Sequence, residues 1–376
     1  MIFGILKEPT SESRVSLLPE HIVALKNQKL TVMIQAESGS NAFAADAQYG
    51  SAGAEIHSRE KVLQNSDVLL CMHSLPADDL QIIKKGAVLI GMYNPLSQTH
   101  LVAGWIDSGI TIFSLDMLPR TTRAQSMDVL SSQANIAGYR AVILAAARLP
   151  RYFPMFMTAA GSIAPARVLI LGAGVAGLQA IATAKRLGAV VEVFDTRPSV
   201  KEEVMSLGGK FIEVEGAADA STAGGYAVEQ TDEYRQKQQQ RIAEVSIKAD
   251  VIITTAQIPG RKAPVLITED ILDKMKPGAL IIDMAASTGG NTARTKDNET
   301  VVYNQVSIIG DSNLPAGMPA DASKLYGKNV LNFLALIISK EGALNLNFED
   351  DLVKGACVVH QGKVENERVK ENFNAL

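Results

Sequence analysis

At 376 residues the chain is too long for one ordinary domain and suits two. Its residues are 47% hydrophobic and 20% charged, the balance of a soluble globular protein, and a net charge of −4 gives no general reason to expect nucleic acid or an anionic membrane as partner. Cys71 and Cys357, far apart in sequence, make neither a disulfide framework nor a metal pattern, which fits a reducing cytosol. The N-terminus lacks a signal-peptide core, and no apolar run reaches the roughly 18 residues that span a bilayer, so the chain is expected to be cytoplasmic.

In chain order, residues 2–6 read as a strand, 19–27 as a helix opened by Pro19, and 30–36 as a second strand. Helical stretches near 44–50 and 58–65 follow, then a strand at 68–72, a helix near 77–84, a strand at 87–92, a helix at 98–107 and a strand at 110–113. Short apolar strands alternating with amphipathic helices indicate a parallel α/β sheet. This lobe has no glycine fingerprint and is expected to be a scaffold or partner wall. Residues 119–133, PRTTRAQSMDVLSSQ, form a polar loop ahead of a helix that runs to Pro150. Ser126 is the expected N-cap, with Asp128 in the first turn where the dipole favours a carboxylate. Capping alone would account for Asp128, but the density of hydrogen-bonding groups at a lobe junction favours a functional role.

Residues 167–197, RVLILGAGVAGLQAIATAKRLGAVVEVFDTR, organise the rest. They read as a strand, a glycine-rich turn, a helix with Ala180, Ile181, Ala184 and Leu187 on one side, and a parallel strand. Gly172 makes the tight turn, Gly174 lets backbone approach a pyrophosphate, and Gly177 lets helix pack on strand. Exposed N–H groups and the positive end of the dipole suit a diphosphate at the helix start. Asp195, 18 residues after Gly177, is placed to accept an adenosine ribose diol, so NAD(H) is preferred to NADP(H). Arg197 is either an acceptor for a 2′-phosphate or a surface residue at the next helix start.

Beyond the fingerprint, a helix is expected at 199–207 and a short strand at 210–213. Residues 214–230 lack periodicity and read as a loose loop or a lid, with Tyr226 at its tip. A polar helix at 231–248 carries Gln238, which could reach an adenine. Strands at 249–254 and 278–284 end in TTAQIPG and DMAASTGGN, with a helix at 268–275 between them. Sheet ends of this kind present ligand contacts. The strand at 306–309 should be the last of this lobe, and residues 311–320 cross back to a helix at 321–340 with Leu325, Val330, Leu334 and Ile337 on one face. The charged tail, 365–376, is expected to be disordered. The predicted architecture is α/β, with two Rossmann-like lobes built on parallel sheets: 1–130 with 318–376, and 131–317 carrying the dinucleotide fingerprint.

Several stretches resemble the NAD(H)-binding component, domain I or the alpha subunit, of proton-translocating NAD(P)+ transhydrogenase, a family related to alanine dehydrogenase. They are PRTTRAQSMDVLSSQANIAGYRAV (119–142), GAGVAGLQAIATAKRLGA with FDTRP (172–198), AGGYA (223–227), TTAQIPGRKAPVLIT (254–268) and MKPGALIIDMAASTGGN (275–291). The resemblance implies that Arg120, Gln125, Asp128 and Ser131 hold the nicotinamide carboxamide and ribose and align two rings for hydride transfer. It places Thr121, Thr122, Ser126 and Met127 in the same nucleotide-contacting loop. Gly172, Gly174, Val175, Ala176, Gly177, Asp195, Thr196 and Arg197 fall on its fingerprint contacts. Gly225, Tyr226 and Gln238 match other contacts, Tyr226 on a mobile loop that closes over nucleotide. Gln257 departs from a usually apolar position, which bears on how adenine or ribose packs there. The family's partners are implied too: a homodimer of this component, NADP(H) on a partner subunit, and a membrane sector that couples transfer to proton flow. The chain would then sit peripherally on the cytoplasmic face of the inner membrane.

Amino-acid oxidation would need a general acid/base and a cation for the substrate carboxylate. Alanine dehydrogenases supply a lysine, a histidine and an aspartate; LLCMHSLP has no lysine after its strand, IGMYNPLS lacks the histidine, and Ser287 stands at the aspartate's position. Arg14 remains, and His73 is the nearest substitute. A free-standing alanine-dehydrogenase-like enzyme and a non-catalytic NADH sensor are the alternatives.

Overall fold

The computed structural model describes residues 1–214 and 231–374. The chain divides into two compact units, Met1–Gln133 with Ala316–Leu376, and Ala134–Pro315.

In the first unit six parallel strands are β1 (Ile2–Ile5), β2 (Thr31–Gln35), β3 (Glu55–His57), β4 (Val68–Leu70), β5 (Val88–Gly91) and β6 (Thr111–Ser114). They lie in the order β3-β2-β1-β4-β5-β6, so the winding reverses between β1 and β4. Two further strands, Cys357–His360 and Lys363–Val364, extend the sheet beyond β6 and run antiparallel. Successive strand residues point to opposite faces. Val68 and Leu70 accordingly join Phe3 and Ile5 in one core, while Leu69 joins Leu89 and Ile112 in another. Helix Pro319–Ile337 covers the first face with Tyr326, Val330, Phe333, Leu334 and Ile337. Leu325, expected on that face, is exposed, because the buried stripe runs through Ala322, Ser323, Tyr326, Gly327 and Val330 and leaves Leu325 at its edge.

The second unit holds β9 (Arg167–Leu171), β10 (Val190–Phe194), β11 (Lys210–Phe211), β12 (Val251–Thr254), β13 (Leu280–Asp283), β14 (Glu299–Tyr303) and β15 (Val306–Gly310), after a separate hairpin of β7 (Phe156–Thr158) and β8 (Gly161–Ile163). The sheet order is β11-β10-β9-β12-β13-β15-β14. Its first six strands run parallel and β14 antiparallel to β15. The first six match the strand order of a doubly wound dinucleotide fold. Val168 and Ile170 face one core, and Leu169 and Leu171 the other.

Three expectations change. Neither sheet is wholly parallel, since each ends in antiparallel edge strands. Strands β7, β8 and β14 escape a reading based on apolar runs because they are largely exposed, and β3 because it is only three residues long and none is fully buried. The C-terminal stretch through residue 374 is not disordered: Glu367–Asn374 is a helix with Val369 fully buried. Asn366 starts it, its Oδ1 accepting the Val369 N–H at 3.2 Å while its Nδ2 donates to the Gly355 carbonyl at 2.7 Å.

Candidate dinucleotide site

The fingerprint turn of the second unit is built by close contact. Gly172 has φ +106°, a conformation that side-chain-bearing residues rarely adopt, and a Cβ there would lie 2.3 Å from Thr255 Oγ1. A Cβ on Gly177 would lie 1.9 Å from the Gly172 carbonyl oxygen, so only glycine lets helix Val175–Arg186 start so close to β9. Gly174 differs. Its φ is −76°, open to any residue, and a Cβ on it would meet nothing within 4 Å. Neither backbone strain nor a protein neighbour demands glycine there. The open space lies at the helix N-terminus, where unpaired N–H groups and the dipole favour an anion. The residues present therefore fit a dinucleotide pyrophosphate. Val175 is exposed in the first turn and Ala176 is buried. Gly138, in helix Val129–Arg148, carries no sequence signal, yet a Cβ on it would come within 2.1 Å of the Ala176 carbonyl oxygen.

Asp195 follows β10. Its Oδ2 accepts the Ala173 N–H at 2.7 Å, tying the carboxylate to the glycine turn. Its Oδ1 accepts the Arg197 N–H and Nε, both at 2.9 Å, and Arg197 Nη2 donates to Oδ2 at 2.8 Å. That pairing raises the Arg197 pKa further. Thr196 is half-buried between them.

The loops after β12 and β13 are held by two residues that carry no sequence signal of their own. Buried Asp283 accepts the Thr254 hydroxyl and Ala285 N–H at 2.9 Å and the Asn291 N–H and Thr295 hydroxyl at 2.6 Å. Asn291 in turn accepts the Ala256 N–H at 3.1 Å and donates to the Ala256 and Pro264 carbonyls at 2.9 and 2.8 Å. Gln257 is exposed and donates to the Met284 carbonyl at 2.9 Å, so the unusual amide bridges the two strand ends. Gln238 is half-buried on helix Asp232–Ser246, next to Gln239, which donates to the Leu266 carbonyl. Gly225 and Tyr226 lie outside the described residues.

In the first unit the RAQSMD segment forms the 3-10 turn Thr122–Met127. Arg120, Thr121, Thr122, Gln125 and Ser126 are exposed, while the Met127 side chain is buried in the core. Ser126 is not the N-cap. Asp128 caps helix Val129–Arg148, its Oδ1 accepting the Ser131 N–H at 2.9 Å and its Oδ2 the Ser131 hydroxyl at 2.6 Å. The Ser126 carbonyl instead accepts the side-chain amides of Asn329 and Asn332 at 2.8 and 2.9 Å, which pins the turn to helix Pro319–Ile337. No periodicity points to these two asparagines; only the fold brings them to the loop.

The reversal between β1 and β4 is where an α/β sheet usually takes a ligand. Here the protein's own charged groups pair with one another and with the backbone. Glu8 accepts the Met72 and His73 N–H groups at 2.6 and 3.2 Å, and burial raises its pKa. Arg14 Nε and Nη2 donate to Glu12 at 2.8 and 2.7 Å, and Nη1 donates to Gln133 at 2.8 Å. His73 Nε2 lies 2.9 Å from Glu12 Oε2. Burial pushes Glu12 up, but the hydrogen bonds from Arg14 and His73 outweigh it and hold the carboxyl well below its usual range. The same Glu12 bond holds the His73 imidazole above its ordinary value, against burial. The cation and the imidazole that an oxo-acid site would need are thus both engaged by one internal carboxylate.

Residues 4–137 match the family described as Alanine dehydrogenase/PNT, N-terminal domain, and residues 141–367 its C-terminal domain. The chain is 45% identical over 362 residues to the first of the chains that make up NAD(P) transhydrogenase subunit alpha in Rhodospirillum rubrum, covering 94% of each. It matches the crystal structure of transhydrogenase from Sinorhizobium meliloti with a TM-score of 0.88 at 42% identity, covering 97% of this chain and 100% of that one. An alanine dehydrogenase of Staphylococcus saprophyticus is 25% identical over 383 residues, covering 100% of this chain and 97% of the relative.

Proposed function

The chain belongs to the alanine dehydrogenase/PNT family, on its transhydrogenase alpha-subunit side, and from that premise we propose that it is the NAD(H)-binding component of a proton-translocating NAD(P)+ transhydrogenase. Gly174 carries the reading: a glycine with an ordinary φ and open space at its Cβ position is explained by a ligand that must approach the backbone. When bound, NADH supplies a hydride from C4 of its dihydronicotinamide. NADP+ held on a partner subunit receives it, and a membrane sector couples the step to proton flow.

The work left to this chain is positional. Backbone N–H groups at Gly174–Gly177 and the Asp195 carboxylate fix the pyrophosphate and adenosine ribose. Arg120, Gln125, Asp128 and Ser131 orient the carboxamide and nicotinamide ribose, so that the reacting carbons approach within about 3–3.5 Å. Direct hydride exchange changes no protonation state of a substrate oxygen or amine, so the chain needs no general acid or base. The engagement of Arg14 and His73 by Glu12 supports this against an amino-acid dehydrogenase.

The component acts as a homodimer, peripheral to the membrane through its partners. No helix among the described residues is long and apolar enough to cross one. The hairpin β7–β8 supports the dimer: Met155, Phe156, Met157 and Ile163 are all exposed on or beside it. A two-stranded hairpin uncovered on both faces is marginal alone, and a second copy would cover it.

The reading is tested with the purified chain, an NADP(H)-binding transhydrogenase partner, NADPH and an oxidised NAD analogue. Fast partner-dependent reduction of the analogue is expected, with no NADH oxidation by pyruvate and ammonia when the chain is alone. Background rates in the first assay, or turnover in the second, would reject it.

A further inference from the structure

A carboxylate offers about four lone-pair positions, and all four on Asp195 are taken. Two go to backbone N–H groups, Ala173 and Arg197, which the turn itself fixes. The other two go to Nε and Nη2 of the Arg197 side chain. A ribose diol brings two donors and needs two acceptor positions. Those the turn can yield are the pair held by the guanidinium. The Arg197 side chain must therefore move off Asp195 when the diol binds, and it would then stand beside the 2′ position. A planar guanidinium with several donors is well suited to a phosphate.

We infer that Arg197 is a specificity-determining residue masked by Asp195: the carboxylate rejects a 2′-phosphate by its own charge and also by sequestering the guanidinium that would bind one. This rests on the NAD(H)-binding reading above and adds to it a latent NADP(H) site two residues away from the selecting acid. Selectivity here is a difference between two affinities, set as much by the group that is withheld as by the one presented.

The experiment measures dissociation constants for NADH and NADPH by calorimetry on the full chain, without any turnover assay. The variants are Asp195→Ala and Asp195→Asn, each with and without Arg197→Met. Asp195→Asn keeps an acceptor for the Ala173 N–H and so preserves the turn if the alanine variant folds poorly. Both single variants should bind NADH more weakly and NADPH roughly tenfold to a hundredfold more tightly, the range carried by hydrogen bonds to charged groups. Adding Arg197→Met should remove that gain. NADPH binding that is equally tight in single and double variants would reduce the effect to lost repulsion and overturn the inference, as would no gain in either single variant. A wild-type chain that binds neither nucleotide fails the functional reading itself, and this inference with it. Intact NADH binding without dependence on Arg197 fails this inference alone.

Discussion

Both oxygens of Asp128 are spent on Ser131, so its first task is to cap the helix and fix the preceding turn. What the turn presents to a ligand is decided by neighbours as well as by its own residues. Asn329 and Asn332 both donate to the Ser126 carbonyl, across 203 and 206 positions of sequence. They are positioning residues for the RAQSMD segment under the proposed function. Replacing both by alanine should slow partner-dependent hydride transfer by about tenfold to a hundredfold, the cost of a small misplacement of reacting groups. NADH affinity should stay nearly unchanged, because the fingerprint contacts are untouched. Single-turnover transfer rates set beside NADH titration check this, and a matching collapse of affinity would contradict it. The glycines of the turn and Asp195 stand out in the sequence because they belong to one continuous strand–turn–helix–strand stretch. The asparagines do not, since their partner is distant along the chain and an asparagine on a helix carries no pattern of its own.

Elements follow the same division. Strands β1, β2, β4–β6, β9, β10, β12, β13 and β15 are short apolar runs in a mostly parallel sheet covered on both faces, and such strands declare themselves. Edge strands do not: β14 and the hairpin β7–β8 have largely exposed residues and look like loop. The C-terminal helix misled for another reason, since its charged residues are solvated while a few apolar ones, Val369 and Phe373 among them, reach the core. The hairpin carries a prediction of its own. Phe156 pairs with Ile163 across the strands while Met157 points the other way and is 76% exposed. Phe156→Asp combined with Met157→Asp should convert a dimer to a monomer in sedimentation experiments while leaving circular dichroism unchanged. A dimer surviving both charges would move the interface elsewhere. Exposed apolar patches of this kind commonly mark association surfaces.

For the molecule as a whole, the Glu12–Arg14–His73 cluster ties β4's end to the β1 loop and to Gln133, and it gives stability a pH signature. Glu12 is held below its ordinary 4.5, so its contribution is present above that pH and fades as pH falls through the depressed value. His73 is held above its ordinary 6.5, so its contribution is complete below that pH and is lost as pH rises through the raised value. The two overlap most fully between 4.5 and 6.5. Glu12→Gln should cost about 3–5 kcal/mol there, since it strips a buried guanidinium of its charged partner. Urea unfolding of both proteins across pH 4 to 9, in steps of about one unit, reads the difference as a function of pH. A difference that is flat with pH would show that the cluster's charges do not set it.

Sequence alone determined the fold class and the place of the glycine turn between β9 and its helix, because each depends on residues close enough along the chain for backbone geometry and hydrophobic period to dictate them. Tertiary structure alone decided that His73 answers to Glu12, that Arg14 reaches Gln133, and that two asparagines of a late helix anchor the RAQSMD turn. A side chain's partner is fixed by which groups folding brings within about 3 Å. Spacing along the chain does not encode that distance once the residues lie on different elements.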